Sequence, residues 1–142
     1  MNSVAPTSSA TPALHSFLAF DYGTKRVGVA SGNTLTCKAT PMRTIAVEGE
    51  ARFDAIAALI TEWRPDALVV GVPFHPDGAA HDNTARARRF ARQLHGRFHL
   101  VVHEVDERYS TTEAHAQGAT DADAASAAII LEQYLRTLET NA

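Results

Sequence analysis

FLAFDYGTKRVGVA, residues 17–30, is the stretch that decides the fold. An apolar run over 17–20 meets a single aspartate, Asp21. Gly23 follows two residues later, and a second apolar run then begins. That punctuation reads as strand, tight turn, strand. A carboxylate at a strand end is poorly placed for core packing and well placed to hold a cation. The duller alternative is an aspartate that opens a turn. Other acidic residues arriving at the same point would decide between them.

Upstream, residues 1–16 are rich in Ala, Ser, Thr and Pro and are expected to form a disordered tail. They lack the basic start and apolar stretch of a secretion signal. Downstream, residues 26–31 form the hairpin partner of the first strand. A third strand is expected within 37–47, where Pro41 suits an edge position. Phe53, Ile56, Ala57, Ile60 and Trp63 then follow helical spacing, up to the stop at Arg64 and Pro65. Residues 67–72 form a short continuous apolar run, as in a buried central strand. A polar loop leads to a second helix with Ala87, Phe90, Ala91 and Leu94 inward. Residues 100–105 make the next strand. Ser110 and Glu113 suggest a capping box for a short helix ending near Gly118. The last helix is expected from 121 to 138, with Ile130, Leu131, Tyr134, Leu135 and Leu138 inward, and 139–142 trailing as a C-terminal tail.

Three strands joined by short turns imply an antiparallel meander, and the later strand–helix alternation implies parallel strands with crossover helices. The expected fold is α/β: a ribonuclease H-like mixed five-stranded sheet flanked by helices, one domain over 17–138. Of 142 residues, 45% are hydrophobic and 20% charged, enough for a packed core. The net charge of −3 confines any nucleic-acid contact to a local patch. Cys37 is the single cysteine, so no intramolecular disulfide forms; this suits a cytoplasmic location. No apolar run reaches the length of a membrane span.

Acidic residues fall at three places: Asp21; Asp106 and Glu107 at the last strand's end; Asp121 and Asp123 at the start of the last helix. In this element order all three places can converge on one rim. Carboxylates gathered from distant parts of the chain repel unless a cation neutralises them, and hard oxygen donors favour Mg²⁺ or Mn²⁺. Two such ions activate a water and stabilise the leaving oxygen of a phosphodiester. Asp121 and Asp123 each have a competing role at the helix N-terminus, as an N-cap or in a capping box with Thr120. A second signal is basic: Arg86, Arg88, Arg89 and Arg92 crowd one helix, off its apolar stripe and with no acid in the same stretch. Such a face binds phosphates, or is simply solvated. Lys25 and Arg26, beside Asp21, strengthen the phosphate reading. His75, His81 and His103 could reach the same rim but read first as ordinary surface histidines, and Cys37, with no visible catalytic partner, reads as a small packing residue.

With these residues in view, the chain resembles the YqgF (RuvX) family of RuvC-like, ribonuclease H-fold nucleases. Five motifs carry the resemblance in order: FDYGTKRVGVA, VVGVPFHPDG, TARARRFARQLHGRF, DERYSTTEA and DADAASAAIILEQYL. The family's three acidic positions fall on Asp21, Glu107 and Asp123, and the spacing to Ile129, Ile130 and Leu131 selects Asp123 over Asp121. The resemblance implies a Mg²⁺- or Mn²⁺-dependent nuclease that processes the 5′ end of precursor 16S rRNA. An older label for the family, Holliday junction resolvase, implies a DNA alternative, and a non-catalytic ribosome-assembly factor is a further one. On this reading Asp21, Glu107 and Asp123 are catalytic and bind metal, with Asp106 as a further ligand. Thr24, Lys25, Arg26 and Arg108 contact phosphate near the cut, and the helix arginines hold the backbone farther away. The protein would work as a monomer or homodimer. One departure is visible: residues 115–120 make a shorter connection to the acidic helix than is usual in the family.

Overall fold

The computed structural model describes residues 15–75, 77–107 and 121–140. Residues 1–14 of the tail expected over 1–16, the short helix expected from Ser110 to near Gly118, Arg108 and the short connection over 115–120 lie outside these residues; residues 15 and 16 are ordered, with Ser16 opening β1. Five strands and three helices are described: β1 (Ser16–Tyr22), β2 (Val27–Asn33), β3 (Ala39–Ile45), α1 (Gly49–Trp63), β4 (Ala67–Pro73), α2 (Thr84–Phe98), β5 (Val101–Glu107) and α3 (Ala122–Thr140). The sheet order is β3-β2-β1-β4-β5. β1, β2 and β3 pair antiparallel, whereas β4 and β5 run parallel to β1. This is the expected mixed sheet.

Several boundaries differ from those expected. β1 begins at Ser16 because Asp66 accepts its N–H at 2.7 Å, and it runs on through Asp21 to Tyr22. Asp21 therefore lies inside a strand, between two neighbours, instead of at its end. β3 is an edge strand, and Pro41 sits at a register shift opposite Val29 and Ala30, where a missing N–H is tolerated. α2 continues through Gly96 and closes at His99 in the left-handed region, φ 59°. α3 continues to Thr140.

Strand alternation divides the core. Leu18, Phe20, Leu68 and Val70 face one way and pack with Ile56, Leu59, Phe90 and Leu94 from α1 and α2. Phe17, Ala19, Ala67 and Val69 face the other way, onto Ile130, Leu131 and Leu135 of α3. The small residues Ala127 and Ala128 let α3 lie close to Ala30 on β2. On α1 the inward face is Phe53, Ile56 and Leu59, while Trp63 in the last turn is 48% exposed. Among the described residues no helix is long and apolar enough to cross a membrane.

Candidate active site

Asp21 shares the α3 side of the sheet with Phe17 and Ala19, four and two positions before it. Its neighbour on β2 is Gly28 and its neighbour on β4 is Gly71. Both glycines make room for acidic groups. A Cβ on Gly71 would stand 2.8 Å from Glu107 Oε2 and 2.4 Å from Ile130 Cδ1. A Cβ on Gly28 would collide with the backbone oxygen of Asp123, at 1.9 Å. The carboxylate of Glu107 thus lies over Gly71, and the first turn of α3 lies on Gly28. Side chains at those two positions would fill the space around Asp21.

Glu107 is 7% exposed. Asp21 keeps a strip of accessible surface, although its carboxyl is enclosed by neighbours. Burial first, then the charge of Glu107, a hydrogen bond to Glu107 and the charge of Asp123 hold the Asp21 carboxyl well above the usual carboxylate range. Each of these causes disfavours a negative charge on Asp21 while the two carboxyls stand alone.

Asp121 and Asp123 take separate roles. Asp121 Oδ1 accepts the Ala124 N–H at 3.1 Å and the Thr44 hydroxyl at 2.5 Å, so Asp121 is the N-cap of α3. Asp123 is released from capping. Its Oδ2 pairs with Arg26 Nε at 3.0 Å. Asp106 stands on the opposite side of the strand from Glu107, exposed to solvent, and is not brought to Asp21. Among the described residues no three acidic, thiol or imidazole groups stand close enough to form a ready-made metal cage.

A cleft of 620 Å³ opens beside these carboxylates, lined by Thr24, Lys25, Arg26, Glu48, Asn83 and Asp123 among others. The β1–β2 turn is shaped by Gly23, where a Cβ would stand 2.6 Å from the Arg26 carbonyl. Arg52 holds that turn from beneath. It is 5% exposed, donates from Nη2 to the Thr24 carbonyl at 3.1 Å and from Nε to the Val47 carbonyl at 3.0 Å, and lies over the Tyr22 ring. Arg52, Gly28 and Gly71 escaped sequence reasoning. An arginine within an apolar stripe, and glycines inside two strand patterns, were the signals present.

The basic helix is more committed than its sequence implies. Arg88 pairs with Glu104 of β5 at 3.4 Å and lies over Phe74, while Arg86 donates to Asn83. Its acids come from other elements. Arg89 and Arg92 are exposed and form no ion pair among the described residues. His75 and His81 stack in the loop after β4, with ring centroids 5.0 Å apart. His103 instead stacks on Tyr134, with its imidazole pushed below the usual range by burial.

A family model described as "RuvX: Holliday junction resolvase" matches residues 15–137. The chain belongs to the RuvX family. A relative from Polaromonas sp. (strain JS666) is 65% identical over 136 residues, spanning 96% of this chain and 99% of the relative. One from Albidiferax ferrireducens is 67% identical over 125 residues, spanning 88% and 80%. Both carry the description "Putative pre-16S rRNA nuclease". Among solved structures, Thermus thermophilus RuvC in complex with a Holliday junction substrate superposes with a TM-score of 0.56. It is 15% identical, over 87% of this chain and 96% of that one, and shows that the RuvX chain has the RuvC-like fold.

Proposed function

We infer that this RuvX chain is a cytoplasmic, Mg²⁺- or Mn²⁺-dependent nuclease that hydrolyses phosphodiester bonds at the 5′ end of precursor 16S rRNA. The observation that carries the metal reading is the contact between Asp21 and Glu107. Two enclosed carboxyls that raise each other's cost of ionisation when alone are a donor set that a hard divalent cation satisfies. Asp123 completes the set once it turns from Arg26, and the N-cap role of Asp121 leaves it free to do so. Asp21, Glu107 and Asp123 would hold the ions, which would supply an activated water and offset charge on the leaving oxygen.

This chain's own residues do the rest. Arg26, on leaving Asp123, swings into the cleft toward the scissile phosphate. Lys25 and the Thr24 hydroxyl border the same space, on a turn that Arg52 keeps in place. Arg89 and Arg92, unpaired with any described acid, grip the backbone farther from the cut, where contacts position without reading sequence.

The test is cleavage of a precursor 16S transcript with Mg²⁺, with Mn²⁺ and with chelator, by the wild type and by Asp21→Asn. Metal-dependent release of the 5′ extension, lost in the variant, supports the reading. Cleavage that survives chelation or the substitution overturns it. The family description favours a second reading, cleavage of four-way DNA junctions, so a junction belongs in the same assay.

A further inference from the structure

We propose that the end of the sheet remote from Asp21 carries a second nucleic-acid contact, a pocket for one unpaired nucleotide, with the base stacked on Trp63 and its phosphate near Lys38. The proposal rests on the nucleic-acid reading above. An open cavity of 430 Å³ lies where β1 begins, β2 ends and α1 stops, walled by Phe17, Ser31, Lys38, Thr40, Trp63 and Pro65 among others. That volume lies in the range of small-ligand sites.

Three features give its chemistry. Trp63 is a large apolar side chain left 48% exposed, on a helix whose other large apolar residues turn inward. An accessible indole is a sequence-tolerant platform for a base. Lys38 is exposed and forms no ion pair among the described residues. No carboxylate lines the cavity, and nearby Asp66 is held by the Ser16 N–H and hydroxyl. The lining therefore carries positive charge, complementary to phosphate. Ser31 and Thr40 add hydroxyls that can meet a base edge or a sugar.

The position fits a substrate engaged at two points. Phe17, in the cavity wall, and Asp21 are four residues apart on one strand, about 13 Å. A short single-stranded segment can cover that span. The carboxylate site would then hold the cleaved bond while the distal pocket holds a flanking unpaired nucleotide. A fully paired substrate has no free base face to offer Trp63.

Trp63 is the single tryptophan of the chain, so its fluorescence reports this site alone. The experiment titrates the full-length protein, in chelator, with an unstructured oligouridylate carrying a label for anisotropy. Saturable quenching of Trp63 that follows the anisotropy curve is expected. Trp63→Ala should weaken binding about fivefold or more, and Trp63→Phe should recover most of it. Lys38→Glu should weaken binding and make its salt dependence shallower. Binding by anisotropy with no change in Trp63 emission overturns the proposal, as do Trp63→Ala and Lys38→Glu variants that bind like the wild type. Absence of any oligonucleotide binding overturns it as well. Asp21→Asn should quench like the wild type, so loss of cleavage and loss of the distal contact are read separately.

Discussion

Asp21 faces Gly71 across the β1–β4 pair, and the carboxylate of Glu107 lies over that glycine, its Oε2 2.8 Å from where a Cβ would stand. Burial and the Glu107 charge raise the Asp21 carboxyl well above its usual range. The folded state then binds more protons than the unfolded one, so this contribution to stability is complete at low pH. It is lost as pH rises through the raised value. Asp21→Asn removes the ionisable group. It is expected to raise Tm by several degrees at pH 7, with little gain at pH 4, while abolishing cleavage. Mn²⁺ should reverse the order. At about 100 times Kd it stabilises the wild type by ~2.7 kcal/mol, on the order of 10 °C here, and the variant far less. Thermal melts across pH, with and without Mn²⁺, check each sign.

Arg26 holds Asp123 in an exposed ion pair, 64% and 32% accessible. Such pairs contribute about 0.2–1 kcal/mol, so Arg26→Ala should barely shift Tm. If Asp123 must leave Arg26 to bind metal, the variant binds Mn²⁺ up to about fivefold more tightly. Losing a phosphate contact, it should also cleave more slowly. Calorimetric titration alongside single-turnover cleavage measures both. Weaker Mn²⁺ binding would mean that Arg26 orients Asp123 for the metal instead of competing with it.

Gly28 and Gly71 should respond differently to alanine. At Gly28 the new Cβ meets backbone of the first turn of α3, which cannot step aside singly. A loss of about 1–3 kcal/mol or more is expected. At Gly71 it meets the ends of the Ile130 and Glu107 side chains, which can rotate. Gly71→Ala should therefore cost less stability yet suppress cleavage by displacing Glu107. Denaturant unfolding and activity, compared between the two variants, separate packing from site geometry.

Arg52 ties the carbonyls of Thr24 and Val47 together beneath the β1–β2 turn. Arg52→Met keeps much of the stem and removes the donors. A loss of roughly 2–4 kcal/mol is expected, from hydrogen bonds to a charged group. The rise in KM for RNA should exceed that of Arg89→Ala, because the whole turn loosens. Arg52→Lys, which keeps the charge without the planar fork, should recover little of it.

Arg89 and Arg92 carry the basic-face prediction. Replacing both with alanine should reduce the slope of log K against log salt by about 0.7 per lost single-strand contact. Arg97 bonds both carboxylate oxygens of Glu50 and lies over Phe53. Arg97→Ala should instead lower Tm and leave the salt slope unchanged. Binding titrations at several salt concentrations distinguish the two classes.

Much of this molecule follows from local pattern. The alternation of apolar runs with turn residues around Asp21, the apolar run that becomes β4 and the stripe on α2 are short-range signals, because each element must bury a face at its own period. The choice of Asp123 over Asp121 comes instead from the resemblance to the family, since local pattern leaves both open as helix-start acids. The pairing of Asp21 with Gly28 and Gly71 is different. It depends on the register between strands far apart in the chain, and a one-residue slip would place Asp21 on the other face.

Sequence by itself determined which segments are strands and helices and which acids were candidates, since these depend on neighbours along the chain. Tertiary structure alone decided that Asp121 caps while Asp123 turns to Arg26, that Asp106 points away from Glu107, that Arg88 is neutralised by β5 and that Trp63 stays exposed. Those outcomes depend on which groups arrive from elsewhere, and charge and space at a point in the fold are set by everything packed around it.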